Sequence, residues 1–195
     1  HKKEVLSIIS ILNDINIFWT LHKIFFEFPF CNIIQISYSQ IIDIITNIYT
    51  PDSLVKNFLL DKNNISLTSY ITQHILEKSI FFYNSKRTAL NPCFIYEFSI
   101  LNQLMDCPND VVQSIIEKDK NLNVFNAVIS NDLNKIIKSK LLYDEHGSGE
   151  APPDTDGIDR HKKIIDIIED GKKIYEIYKK GGDYKKALKK RKEDK

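Results

Sequence analysis

A few side chains in this sequence are of types that catalyse reactions or bind metals, and each also has a purely structural explanation. His22 lies one helical turn before Phe25, where it could line a ligand pocket or be a hydrogen-bonded histidine at the edge of the core. His74 shares a predicted helix face with Glu77 and Lys78, which could supply half of a metal site or a solvated polar face. No second histidine follows at ligand spacing, so these positions are weak evidence for chemistry.

The three cysteines are Cys31, Cys93 and Cys107. Cys93 and Cys107 are separated by a whole predicted helix and could form a redox pair or act as small buried apolar side chains. The odd number and wide spacing match neither a disulfide framework nor a zinc site. We therefore expect a reducing compartment, the cytoplasm, with the nucleus as an alternative.

Glycine is missing from most of the chain, since all 6 glycines lie at or after Gly147. A phosphate-binding loop needs glycine so that backbone amides can approach the anion. The sequence also lacks the Gly-x-Ser-x-Gly turn that presents a serine nucleophile. We therefore expect that the chain is not an enzyme and that it needs no cofactor and no metal.

The composition is that of a folded protein without a strong overall charge. The chain has 195 residues, of which 43% are hydrophobic and 27% charged, which suits one ordinary domain with an appendage. Its 27 Lys and Arg balance 26 Asp and Glu, so net charge gives no general reason to expect nucleic acid as a partner. Charged and polar residues interrupt every apolar stretch before it could span a bilayer, so we expect no membrane partner.

Apolar residues recur at spacings of three and four along residues 1–146, as in Ile41, Ile42, Ile45 and Ile48. This pattern predicts helices over residues 3–14, 17–28, 37–49, 52–60, 66–83, 92–105, 108–118 and 122–139. Many Ile, Phe and Tyr residues favour strands, but without glycine we expect no tight hairpin turns. The predicted fold is all-α, a helical-hairpin array of the HEAT or armadillo kind, with a C-terminal amphipathic helix after a flexible linker.

A change in composition divides the chain into two parts. Residues 147–157 are rich in Gly, Ser, Pro and Asp and predict a linker between a helical-repeat body, residues 1–146, and a tail, residues 158–195. Residues 158–180 predict an amphipathic helix that could dock along a groove or against the body. The alternative is that the tail is a fused segment, because Gly-Ser-Gly is a common joint.

The end of the tail is locally basic. Its cationic residues include Lys185, Lys186, Lys189, Lys190, Arg191 and Lys192. Such a segment could simply be solvated, or it could act as a nuclear-targeting signal or bind an acidic partner or nucleic acid.

A family resemblance begins at residues 24–36, which read IFFEFPFCNIIQI. This segment resembles the signature of the SAPS-domain family, the regulatory subunits of the protein phosphatase 6 class. The matching positions are Phe25, Phe26, Phe28, Pro29, Phe30, Asn32, Ile33 and Ile34. Phe30 matches as an aromatic residue but replaces the family's usual Trp, and the other departures are Cys31 for a first Asn and Gln35 for His. Further along, Phe125, Val128, Ile129 and Leu133 fit the family's closing helix, so the resemblance covers about residues 1–140, the C-terminal part of a family domain.

The resemblance implies a non-catalytic helical scaffold that binds a serine/threonine phosphatase catalytic subunit and directs it to substrates. Pro29 is expected to end one helix and Asn32 to hydrogen-bond the freed backbone, making residues 28–32 a rigid corner. Aromatic residues dominate binding hot spots, so we expect Trp19, Phe30 and Asn32 to face the partner. The aromatic series around them could instead be core. The alternative function is a nucleic-acid or ribosome-associated helical protein that binds through its basic tail.

Overall fold

The computed structural model describes residues 17–28, 30–47, 49–84, 87–137 and 155–193. Within these ranges the chain forms nine helices and one small sheet, so the all-α prediction is confirmed. Eight of these helices are regular: α1 Ile17–Glu27, α2 Asn32–Ile45, α3 Asp52–Leu59, α4 Leu67–Lys78, α5 Cys93–Asp106, α6 Asp110–Ile116, α8 Thr155–Lys179 and α9 Tyr184–Glu193. The remaining helix, α7, begins as Lys120–Phe125 and continues through the π-helical turn Asn126–Ser130 to residue 137. Consecutive helices pack in pairs, α1 with α2, α5 with α6 and α8 with α9, which is consistent with a helical-hairpin array. None of the helices in these ranges has the length and apolar character needed to cross a membrane.

Most predicted helices are present with shifted ends, and the predicted helix 3–14 lies outside the described residues. Two helix starts are marked by proline, since Pro51 and Pro92 are the residues immediately before α3 and α5. Asn109 begins α6 by accepting hydrogen bonds from the backbone N–H groups of Val111 and Val112, at 3.0 and 3.2 Å.

One predicted helix was wrong over its last five residues. The prediction 66–83 ends as a helix at Lys78, and the strand β1, Ile80–Asn84, follows it. It pairs antiparallel with β2, Arg87–Leu90, with Ile80 opposite Leu90. The run Ile80-Phe81-Phe82-Tyr83 is made of strong strand formers, and here propensity prevails over helical periodicity. The strands pair in a part of the chain that has no glycine, where no tight hairpin turn was expected; the turn itself, at residues 85 and 86, lies outside the described residues.

Contacts divide the described chain into two units, and the first comprises residues 17–73 and 91–120. Its core contains apolar side chains from α1 to α6, among them Phe25, Ile42, Phe58, Ile71 and Phe98. The buried carboxylate of Asp119 accepts hydrogen bonds from three hydroxyl groups, those of Ser66, Thr68 and Ser69. Because Ser66 also caps the start of α4 through the Ser69 N–H, at 3.1 Å, this cluster fixes that helix end.

The second unit comprises residues 74–90 and 121–193. Helix α8 packs against β2 and against the π-helical turn of α7. Its buried side chains are Ile164, Ile165, Ile168, Ile174 and Tyr175. This division of contacts differs from the predicted boundary, because the tail helix shares a unit with residues 121–137. Of the predicted linker, residues 155–157 already belong to α8, and the remainder lies outside the described residues.

The sequence Gly181-Gly182-Asp183 encodes the turn from α8 to α9. Gly181 has a φ of 74°, a conformation that favours glycine, and its N–H donates to the Tyr178 carbonyl at 2.9 Å. The Gly182 N–H donates to the Ile177 carbonyl at 2.8 Å, which completes a Schellman motif. The Asp183 carboxylate then accepts from the N–H groups of Lys185 and Lys186, each at 3.1 Å, and caps α9.

Candidate protein-binding corner

Helix α1 buries one face and exposes the other. Phe18, His22 and Phe25 recur at helical spacing and are buried, whereas Phe26 is half-buried. The aromatic series of the sequence therefore divides into core residues and surface residues. Helical periodicity separates them, since residues 18, 22 and 25 share a face.

His22 is a buried, hydrogen-bonded histidine, which agrees with the structural one of the two interpretations of this residue. Its Nε2 lies 2.8 Å from the Phe58 carbonyl, and its Nδ1 accepts a hydrogen bond from the Tyr38 hydroxyl. Burial lowers the pKa of His22 from 6.5 to about 4, although the Phe58 carbonyl acts in the opposite direction. Burial also raises the pKa of Tyr38 well above 10, so both groups stay neutral and hydrogen-bonded at physiological pH.

A tight corner joins α1 to α2, and a glutamine holds it. The Phe28 N–H continues the helix by donating to the Ile24 carbonyl, and the Cys31 N–H donates to the Phe28 carbonyl. The buried side chain of Gln35 then donates from Nε2 to the carbonyls of Phe25 and Phe28, at 3.3 and 3.1 Å. The freed backbone groups are therefore satisfied by Gln35, a residue that sequence reasoning did not select.

The roles predicted for Asn32 and Pro29 are only partly visible. Asn32 is the first residue of α2 and takes its place at the corner, but its side chain lies outside the described part of the structure. Residue 29 is outside it as well. Helix α1 ends at Glu27, two residues before that proline.

Four large apolar side chains at and after the corner are exposed, and we call them the corner patch. Phe28 is 52% exposed, Phe30 72%, Ile33 77% and Ile36 50%. Ile33 and Ile36 are three residues apart on α2 and so share its outer face. An outward apolar patch on a helix start is a feature of surfaces that bind other molecules. Sequence reasoning chose Phe30 as a partner-facing residue but neither isoleucine, although the apolar residues all around α2 were a signal that some of them would be exposed.

Trp19 does not belong to the corner patch. It is half-buried, its Nε1–H donates to the Leu60 carbonyl at 3.2 Å, and its ring meets Tyr70 edge to face at 5.0 Å between centroids. Along α1, eight residues separate it from Glu27, or about 12 Å of helix. Trp19 is therefore held by contacts within its own unit and lies apart from Phe30, and its predicted role in partner binding stays a prediction.

The polar groups beneath the corner include a buried thiol that is hydrogen-bonded to Gln35. The Cys93 thiol donates to Gln35 Oε1 at 3.4 Å, and burial, followed by the nearby Glu97, raises the pKa of that thiol far above its ordinary value. A thiol that stays protonated is a poor nucleophile. Cys31, Cys93 and Cys107 are all free, and Cys93 and Cys107 are buried, in line with their interpretation as small apolar side chains.

One residue of the predicted polar face of α4, Glu77, forms an ion pair. Glu77 accepts from Lys179 Nζ at 3.1 Å, while His74 on the same helix is half-buried. Among the described residues, no cluster of three His, Cys, Asp or Glu side chains could hold a metal ion.

The basic residues of the tail separate onto two faces of α9. Lys185, Lys186, Lys189 and Lys190 are exposed on one face, which we call the lysine face. Arg191 lies on the opposite face, where its Nη1 donates to the Val128 carbonyl at 2.8 Å and Nη2 lies 3.4 Å from Asp132. Arg191 is therefore part of the packing of the second unit. The side chain of residue 192 is outside the described residues.

Comparison with known proteins leaves the resemblance at residues 24–36 as a prediction. No family model, no curated protein and no solved structure matches this chain.

Proposed function

We propose that this chain is a non-catalytic helical scaffold that binds a protein partner through the corner patch. The observation that carries the proposal is the exposure of Phe28, Phe30, Ile33 and Ile36 on a backbone fixed by the buried Gln35. Exposed aromatic and large aliphatic side chains provide most of the binding energy when a partner buries them. A backbone held in place loses little conformational entropy on binding.

The proposed partner is the catalytic subunit of a serine/threonine phosphatase, in the cytoplasm or the nucleus. All four residues of the corner patch lie in the segment at residues 24–36 that resembles the SAPS-domain signature. If the segment served only to stabilise the fold, these side chains would be expected inside the core, whereas here they are exposed. The overlap supports a recognition role for the segment and favours the partner that the resemblance implies.

The test is a binding measurement between the full chain and the catalytic subunit of a protein phosphatase of the class 6 type. Replacing Phe30 and Ile33 together by Ala should weaken the complex by about 1–3 kcal/mol, the range of interface anchors. Both side chains are exposed, so the free energy of unfolding should hardly change. Isothermal titration calorimetry measures the first quantity and chemical denaturation the second.

The matched control is Ile65→Ala, which removes an exposed isoleucine from the loop between α3 and α4. It should leave affinity unchanged. Equal affinity of the Phe30/Ile33 double variant and the native chain would refute the corner patch as the binding surface. Absence of any complex with the native chain would refute the phosphatase as partner while leaving the patch to be tested on others.

A second candidate function rests on the lysine face of α9. Its four lysines are exposed while the opposite face of the helix is packed, so the four positive charges lie on the same side of α9. Such a face could bind nucleic acid, alone or in a ribosome, and affinity would then fall steeply with salt because phosphate contacts release counterions. Fluorescence anisotropy with a single-stranded RNA at several salt concentrations tests this function. Binding through the corner patch should be far less sensitive to salt.

A further inference from the structure

The second unit contains a cavity of about 320 Å³ between the last part of α7 and α9. Its walls are formed by Ala127, Val128, Asn131, Asp132, Lys135, Leu188 and Arg191. The volume is at the small end of the range for ligand sites, which is roughly 300–1,000 Å³. It suits a molecule of a few heavy atoms.

The cavity has an apolar wall and a polar wall. Ala127, Val128 and Leu188 provide the apolar wall, and Lys135 and Arg191 provide two cations on the polar side. This combination of apolar lining with a few placed polar groups is typical of small-molecule sites. A π-helical turn, Asn126–Ser130, supplies the first of these residues, and such turns often occur at functional sites.

Arg191 is held in place without using all of its donors. Its side chain is 12% exposed and is oriented by the Val128 carbonyl at 2.8 Å. The two nearest carboxylates are at longer distances, 3.4 Å from Nη2 to Asp132 and 3.8 Å from Nε to Asp170. The buried Nε makes no hydrogen bond, and the carboxylate beside it is that of Asp170, which does not line the cavity. Nη1 and Nη2 each carry two N–H groups, and the bonds to Val128 and Asp132 use one on each, so the guanidinium can donate to a further acceptor.

The charges around the cavity favour an anion. Lys135 and Arg191 outnumber Asp132 in the lining. Asp170, the second acid near Arg191, is shared with Lys173 at 3.3 Å. The lysine face adds positive potential on the other side of α9.

The geometry points to a binding site for a small oxyanion, a carboxylate or a phosphate with a short apolar body, in which Lys135 and Arg191 hold the charged group and Val128 and Leu188 contact the apolar part. Nothing in the corner patch or the lysine face is needed for this site, so it is independent of the proposed function.

The experiment is calorimetric titration of the full chain with potassium butyrate, inorganic phosphate and 1-butanol at constant ionic strength. Butyrate or phosphate, or both, should bind, and 1-butanol should bind far more weakly because it lacks the charge. The two anions distinguish a carboxylate ligand from a phosphate ligand. Binding of neither anion, or equal binding of butyrate and 1-butanol, would overturn the proposal.

The test variant is Lys135→Met, which removes one cation from an exposed position and leaves the contacts of Arg191 intact. Loss of a charge-assisted hydrogen bond should raise the dissociation constant roughly tenfold, and Lys135→Arg should restore binding. The matched control is Lys185→Met, which makes the same change of charge on the lysine face. A change of less than about threefold for Lys135→Met, or an equal loss for both variants, would show only diffuse attraction and would overturn the site.

Discussion

The side chain of Ile129 occupies the space that a Cβ atom on residue 171 would need. Glycine at this position lets α8 lie directly against the π-helical turn of α7. We predict that Gly171→Ala lowers the free energy of unfolding by about 1–2 kcal/mol, because overpacking costs about 1–3 kcal/mol and better helix propensity offsets up to about 1 kcal/mol of it. Chemical denaturation of the full chain measures the change.

Two further variants make this prediction specific. Lys172→Ala, at the exposed neighbouring position, should change stability by less than about 0.5 kcal/mol. Combining Gly171→Ala with Ile129→Ala should remove the clash, so that the two changes together cost less than their sum. A Gly171→Ala variant as stable as the native chain would mean that the two helices are not in contact.

The amphipathic character of α8 could be predicted from the sequence, but its place in the fold could not. An apolar stripe such as Ile164, Ile168 and Tyr175 looks the same whether it packs on its own chain or on a partner. The composition of residues 147–157 favoured separation. Only Gly171, a costly residue in a helix interior, signalled close packing.

The buried His22 predicts how stability depends on pH. Its pKa is about 4 in the folded protein and 6.5 when solvated, so below pH 6.5 the unfolded state takes up a proton first. The free energy of unfolding should therefore be unaffected by His22 protonation above pH 6.5 and should fall as the pH is lowered towards 4. The expected slope is up to about 1.4 kcal/mol per pH unit, and the expected total loss is about 3 kcal/mol. Urea denaturation at a series of pH values measures this slope.

His22→Gln is the control, since glutamine does not titrate and can still donate to the Phe58 carbonyl. The variant should be less stable at pH 7 but should show a flatter dependence between pH 4 and 6.5. Parallel pH profiles for the native chain and the variant would contradict the buried, neutral histidine.

Neighbouring phenylalanines on α1 should differ sharply in their contribution to stability. Phe25 is fully buried and stacks on Tyr38 at 4.4 Å between centroids, whereas Phe26 is half-buried. Phe25→Ala should cost about 3–5 kcal/mol through the cavity it leaves. Phe26→Ala should cost clearly less. Equal losses in chemical denaturation would show that the helix is rotated from the orientation described here.

The corner shows where sequence reasoning stops. Helical spacing separates Phe25 from Phe28 once the phase of α1 is known, and the resemblance at residues 24–36 pointed to Phe30. Sequence reasoning could not identify Gln35, in the first turn of α2, as the residue that satisfies the corner, because glutamine is usually a surface residue. Its burial depends on the neighbouring Cys93 from α5, a contact distant in sequence.

Asp119 is predicted to be more important for stability than any exposed acid of the first unit. It is buried and accepts from three hydroxyl groups at the start of α4, so Asp119→Ala leaves several donors without their acceptor. The expected loss in free energy of unfolding is about 2–4 kcal/mol. Asp110→Ala, at an exposed position, should cost less than about 1 kcal/mol. Similar losses for both variants would show that the hydroxyl cluster contributes little.

The packing of β2 against α8 has a consequence for synthesis of the chain on the ribosome. About 65 residues separate Leu90 from Thr155, which at roughly 5–20 residues per second takes about 3–13 s to translate. During that interval the strand pair, and Ile129 once it has been synthesised, have no α8 to cover them. A nascent chain stalled before residue 155 should therefore present apolar surface to chaperones, and release of the completed tail should end that exposure.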